Sequence, residues 1–281
     1  MSEEVNKKKK STMVRFATAV PLVAALVLML CVGGWVLAVF VMGLLSVALY
    51  EELNALKAGG YHPVWWPCFA ALIGSAPLMM NHSTTAFGSV TMVASLVILF
   101  CVMRRREPQL LDAVMSIIPL MTIVLPGMCM FGILDTQPRS FQLYLLFLLF
   151  AIPILGDTFA YFVGRAVGGP KLCPQISPNK TIAGAVGGLL GSVLGALVVG
   201  AAFMLFAKDY TFPPLWVNLL VGLIAGAASQ MGDLLASMVK RHCKIKDFGT
   251  IFPGHGGMLD RLDSILFSAI ILFCFRALIG G

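Results

Sequence analysis

Residues 181–207 read TIAGAVGGLLGSVLGALVVGAAFMLFA, a run without a charged side chain or a proline. At 1.5 Å per residue, a helix needs about 20 residues to cross the hydrocarbon core of a bilayer. A backbone in lipid must also satisfy its own N–H and C=O groups, so this run predicts a transmembrane α-helix. Glycines 184, 187, 188, 191 and 195 recur at four-residue spacing, forming small-residue ridges that let another helix pack closely. The rest of the chain is of the same kind. Hydrophobic residues make up 59% and charged residues 12% of it, with a mean hydropathy of +0.91. An ordinary soluble globule runs at about 45–50% apolar.

Working outward from this run, the fold class is all-α: a polytopic integral membrane protein of about nine transmembrane helices. The spans are drawn at 16–31, 33–50, 64–80, 85–103, 110–134, 140–163, 181–207, 214–239 and 262–279. Only Val32-Gly33-Gly34 divides the first two, whereas prolines and polar turns separate the others. Lys7 to Lys10 precede the first span with no small-residue cleavage site behind them, so they read as a cytoplasmic tail and not as a signal peptide. Residues 1–135, poor in polar groups within their spans, read as membrane scaffold. Residues 136–281 read as the catalytic membrane domain, with cytoplasmic loops at 164–180 and 240–261.

Charge placement supports that orientation. With the amino terminus inside, only Arg139, Lys208 and Arg276 of the 20 Lys and Arg residues fall outside. This is the asymmetry of the positive-inside rule. The net charge of +7 therefore speaks for topology and not for nucleic acid. The 7 cysteines are scattered without metal-type spacing and read as packing residues.

The candidate chemistry sits at the inner ends of the later spans. Asp157 and Asp233 are carboxylates inside apolar runs, where a charge is costly and usually functional. Asp233, Ser237, Lys240 and Arg241 share one helix face at i, i+4, i+7 and i+8, a polar stripe rising toward the surface. Beyond it lie Lys246 and Asp247, then a glycine-rich loop around His255 with Gly256 and Gly257, then Asp260, Arg261 and Asp263. Glycines there can offer backbone N–H groups to phosphate oxygens. Mixed cations and carboxylates on such a loop are what metal-assisted chemistry on phosphates needs. Ser177, Asn179, Lys180 and Thr181, at the start of a helix, make a second anion site. His62, His82 and His242 have no partner suggested by spacing.

The run Ser237-x-x-Lys240-Arg241-x4-Lys246-Asp247-x-Gly249-x3-Pro253-x-His255-Gly256-Gly257-x-x-Asp260-Arg261-x-Asp263 resembles the signature of the phosphatidate cytidylyltransferases. Gly156-Asp157-Thr158-x-Ala160-Tyr161-x-x-Gly164-Arg165 and Ile176-Ser177-Pro178-Asn179-Lys180-Thr181 resemble motifs of the same family. The likeness covers about residues 150–276, and the amino-terminal half matches in hydropathy only. One position departs: Ala183 stands where the family commonly has Glu or Gln. The resemblance implies transfer of a cytidylyl group from CTP to phosphatidate in the bilayer, with magnesium (Mg2+) as cofactor. Asp233 and Asp260 are then the first metal ligands, followed by Asp263, Asp157 and Asp247. Lys240, Arg241, Lys246, Arg261 and Lys180 would hold phosphates, with Ser177 and Ser237 as hydrogen-bonding groups and His255 at a phosphate or in loop support. A homodimer is compatible with the sequence.

Two other classes share some of these features. A CTP-dependent lipid-alcohol kinase also needs basic cytoplasmic loops and membrane carboxylates. An ion-coupled secondary transporter would explain Asp157 and Asp233, but not a polar glycine loop outside the membrane, and the chain has no clear inverted repeat. The orientation yields the first prediction. Single cysteines placed at Asn6 and Gln175 in a cysteine-free background should resist an impermeant thiol reagent in intact cells and react after permeabilisation. Labelling of both from outside would overturn the topology.

Overall fold

The computed structural model describes residues 33–80, 86–207, 209–252 and 256–279. Its helices in chain order are α1 (Gly34–Ala58), α2 (Trp66–Met79), α3 (Ala86–Met103), α4 (Leu110–Pro119), α5 (Leu125–Leu134), α6 (Arg139–Val167), α7 (Ile182–Phe206), α8 (Leu215–His242) and α9 (Leu259–Ile279). A π-helical turn, Leu120–Val124, joins α4 to α5 into one continuous span, Leu110–Leu134. The wide turn presents Thr122, whose hydroxyl bonds the buried Glu52 carboxylate of α1 at 2.7 Å.

Among the described residues, six helices are long and apolar enough to cross a bilayer: α1, the α4–α5 unit, α6, α7, α8 and α9. Helix α2 has 14 residues, about 21 Å of length at 1.5 Å per residue, and α3 has 18, of which Gly88–Met103 form the described apolar stretch. The expectation of nine spans is thereby corrected. The structure supports a helical membrane protein with six helices of spanning length, and segment 16–31 lies outside the described residues.

The expected loop 164–180 is also more ordered than a connection between helices. It holds an antiparallel hairpin of β1 (Lys171–Cys173) and β2 (Ser177–Thr181), in which Lys171 pairs with Thr181 and Cys173 with Ser177. Pro170, Pro174 and Pro178 deny this stretch a helix. The strand pair gives its backbone another way to satisfy its groups.

Glycine faces set the spacing of the last four helices. A Cβ built on Gly191 of α7 would stand 2.5 Å from the Leu155 carbonyl oxygen of α6, and one on Gly195 would stand 2.9 Å from that of Ala151. On the other side of α7, a Cβ on Gly222 of α8 would stand 2.8 Å from the Val193 Cα. Ser192 sits between the three helices and donates to the Ile152 carbonyl at 3.1 Å, so its hydroxyl is satisfied in the interior. Gly232 of α8 approaches the Asp263 carbonyl of α9 in the same manner, at 2.5 Å from an added Cβ.

The two ends of the bundle differ. At one end, buried Tyr144 donates to Asn218 at 2.7 Å, and the Asn218 amide bonds the carbonyls of Pro213 and Pro214 ahead of α8. Stacked Phe141 and Tyr210 complete this apolar lid. At the other end, polar contacts draw the loops together. Asp112 accepts from the His62 N–H at 3.0 Å and pairs with Arg105 at 2.7 Å. Tyr61 bonds His242 at 2.6 Å, and the Arg241 Nε donates to the Ile176 carbonyl at 3.3 Å. His242 thus has a partner after all, one that spacing along the chain does not reveal.

Adding bulk to a packed helix face typically costs about 1–3 kcal/mol. Gly191→Val should therefore lower the thermal midpoint in detergent by several degrees. Gly74→Ala, whose added Cβ meets nothing within 4 Å, should leave the midpoint unchanged. Equal midpoints for the two variants would contradict the packing described.

Candidate active site

Thr181 ends β2 and caps α7, its hydroxyl accepting the Gly184 N–H at 3.0 Å. The cap fixes the residue before it, and Lys180 reaches across to form an ion pair with Asp233 of α8. Ser237, one turn further along α8, lies 3.5 Å from the other Asp233 oxygen. Thr181, Lys180 and Asp233, but not Ser237, border a cavity of about 660 Å3 between α6, the hairpin, the start of α7 and α8. Its polar lining includes Asp157, Tyr161, Arg165, Lys171, Asn179, Lys180, Thr181, Gln230 and Asp233. Gly164 and Gly184 narrow one wall, since neither leaves room for a side chain between α6 and α7.

Asp263 of α9, partly buried, accepts the Ser264 N–H at 2.7 Å and lies in electrostatic reach of both Asp233 and Asp157. Arg261 is in reach of Asp157. Asp157 and Asp233 line the cavity together with Lys180, while Asp263 and Arg261 of α9 lie outside its lining and add to this charged cluster only from electrostatic reach. Such a site can bind a polyanion and neutralise charge that develops on it.

Asp260 is placed differently. One of its oxygens takes Lys240 at 2.6 Å, and the other accepts the Phe248 and Gly257 N–H groups, both at 2.9 Å. The Lys240 ammonium also stands 5.3 Å from the Phe248 ring centre. This pair is well buried, with side-chain exposures of 13% and 5%, and it clasps the end of α8, the following segment and the start of α9. Asp260 does not line the cavity.

The glycine loop was expected to offer N–H groups to phosphate. Gly257 gives its N–H to Asp260, while Gly256, at φ 82°, accepts the Phe252 N–H through its carbonyl at 3.0 Å. Gly256 stands in the left-handed region that favours glycine, so the turn itself demands it. His255 lies outside the described residues. Lys246 and Asp247 are exposed, and neither forms an ion pair among the described residues. Ser177 stands in the hairpin opposite Cys173.

Among the described residues, no three Asp, Glu, His or Cys side chains form a ready metal-holding group. The donors on hand are carboxylates, which suit a hard cation. Magnesium commonly takes one or two of these and completes its shell with water and substrate phosphates.

Two cavity residues were not picked out as site residues in the sequence. Gln230 is an amide one turn before Asp233 in an apolar run; it donates to the Ala185 carbonyl at 3.0 Å and signals itself as polar inside a span. Lys171 is, in the sequence alone, one of the Lys and Arg residues on the inner side, with no motif to set it apart. Tyr161 and Arg165, which entered only as part of a motif, are joined at 3.0 Å on the cavity wall.

The model of the Cytidylyltransferase family matches residues 13–279. This chain belongs to the cytidylyltransferase family. It is 34% identical over 260 residues to the phosphatidate cytidylyltransferase of Staphylococcus saprophyticus, covering 90% of this chain and 95% of that one. The Staphylococcus aureus protein of the same name is 34% identical over 262 residues, with the same coverage. That of Brucella abortus is 44% identical over 130 residues, 46% of each chain. The likeness read over 150–276 therefore extends to the amino-terminal helices of this family member, and it makes the chain a nucleotidyl-transferring enzyme.

The Lys240–Asp260 clasp can be tested by stability. Removing one partner of a buried pair typically costs about 3–5 kcal/mol, because the other charge is left unpaired. Lys240→Met should be strongly destabilised, and Lys240→Met with Asp260→Asn should recover much of that loss in thermal unfolding. Additive losses would show that the two side chains act separately.

Proposed function

We propose that this protein transfers the cytidylyl group of CTP to phosphatidate, giving CDP-diacylglycerol and pyrophosphate. The observation that carries this reading is the cavity where Lys180, Lys171 and Arg165 face Asp157 and Asp233 at the polar end of an apolar helix bundle. Relatives named for this reaction, aligned over most of both chains, support it.

A phosphate oxygen of phosphatidate attacks the α-phosphorus of CTP. A new P–O bond forms, the bond to the bridging oxygen of the β-phosphate breaks, and pyrophosphate leaves with that electron pair. The nucleophile is already an anion, so no strong base is required and the protein's work is positioning and charge neutralisation. Lys180, Lys171, Arg165 and Arg261 offset the phosphate charge, and Gln230 and Asn179 supply neutral hydrogen bonds. Asp233, Asp263 and Asp157 would hold magnesium, which when bound supplies further neutralisation of the triphosphate. Asp260 serves the fold of the loop in this reading. In this reading the charged end faces the cytoplasm, which the positive-inside rule supports through its Lys- and Arg-rich loops and where CTP is available.

Purified protein given CTP labelled on the α-phosphate, phosphatidate and magnesium should move label into lipid and release pyrophosphate. EDTA should abolish the product, and diacylglycerol should fail as acceptor because it lacks the attacking phosphate. Asp233→Asn and Asp263→Asn should each lower turnover by about 10²–10³, the usual loss when a charge-stabilising group is removed. Soluble CDP as main product, from γ-phosphate transfer to a lipid alcohol, would replace this reading with a kinase.

A further inference from the structure

We propose that Glu51 of α1 is a positioning residue for the transfer reaction, holding the glycine loop and the first turn of α9 in their working arrangement. The role rests on the reaction proposed above, yet the contact itself can be tested without it. Glu51 is 4% exposed and lies in the part of the chain read as scaffold. Its two carboxylate oxygens accept the Met258 N–H at 3.0 Å and the Leu259 N–H at 2.9 Å. These donors stand at the amino terminus of α9, where unpaired N–H groups and the helix dipole favour an anion. A fixed carboxylate on another helix therefore fills the place that a substrate phosphate would otherwise find there.

The same carboxylate accounts for two glycines of the loop. A Cβ on Gly249 would run into one Glu51 oxygen, and a Cβ on Gly257 into the other. Both positions are glycine because Glu51 occupies the space beside them. The residues next in line are Asp260, clasped by Lys240, and then Arg261 and Asp263 of the charged cluster. Shifting Met258 and Leu259 by a fraction of an ångström displaces all of these relative to Lys180 and Asp233. A misplacement of about 1 Å can cost a reaction about 10²-fold. Glu51 acts through the backbone and touches no phosphate itself.

Glu51→Gln keeps the volume but replaces one accepting oxygen with an NH2 group facing an N–H donor. The full-length variant in detergent should lose about 10- to 100-fold in kcat per folded molecule, while KM for CTP and for phosphatidate stays within about threefold. Hydrogen exchange of a peptide containing Met258 and Leu259 should accelerate about tenfold, with peptides of α7 unchanged. In the wild type Gly257→Ala should be severely impaired; in a Glu51→Asp background, where the shorter side chain frees space, the same change should cost far less. A kcat within twofold of wild type for Glu51→Gln would overturn the positioning role, as would additive effects of Glu51→Asp and Gly257→Ala. Unchanged exchange at Met258 and Leu259 would overturn the contact. If wild-type protein fails to label phosphatidate, the proposed reaction falls instead, and the exchange comparison still decides whether Glu51 holds the loop.

Discussion

Close approach between helices through glycine faces is the constraint on which the molecule depends. Lipid tails are as apolar as leucine, so helices in a bilayer gain little by hiding apolar surface from one another; tight packing and satisfied polar groups hold them together. Gly191 and Gly195 bring α7 against α6, Gly222 brings α8 against α7, and Gly232 brings α9 against α8. A cavity bordered by α6, α7 and α8 can be narrow and polar at its end because these helices are so near each other below it.

Helix α8 then serves two charged centres. Asp233 meets Lys180 from the hairpin, and Lys240, two turns later, meets Asp260 from α9. The first pair borders the cavity and is partly exposed. The second is buried, and its carboxylate is engaged through both oxygens. One polar stripe thus divides into a half that lines the cavity and a half buried against the loop and α9.

Much of this was legible in the sequence, for identifiable reasons. Apolar runs of bilayer length announce helices, and polar groups inside them, such as Asp157 and Asp233, announce a site. The 14-residue α2 reads as a span in the sequence because the apolar residues before its first turn extend the run beyond the helix itself. The hairpin escaped notice because its prolines read as breaks, and strand pairing over three residues leaves little periodicity. The glycine loop was read as a phosphate cradle, but its geometry is set by Asp260 three residues on and by Glu51, which lies 207 residues from Met258. No local pattern reports a contact across that distance.

That separation also bears on how the molecule is made. Synthesis proceeds from the amino terminus at about 5–20 residues per second, so α1 exists for roughly 10–40 seconds before its partner backbone has been polymerised. Throughout that interval the Glu51 carboxylate lacks the two N–H groups that justify its burial. The nascent helix must keep this side chain near the aqueous boundary, or lend it to a temporary partner, until α9 arrives. Helix α9 is therefore the one that completes the surroundings of Glu51, and a nascent chain interrupted before it carries a carboxylate without its native partners.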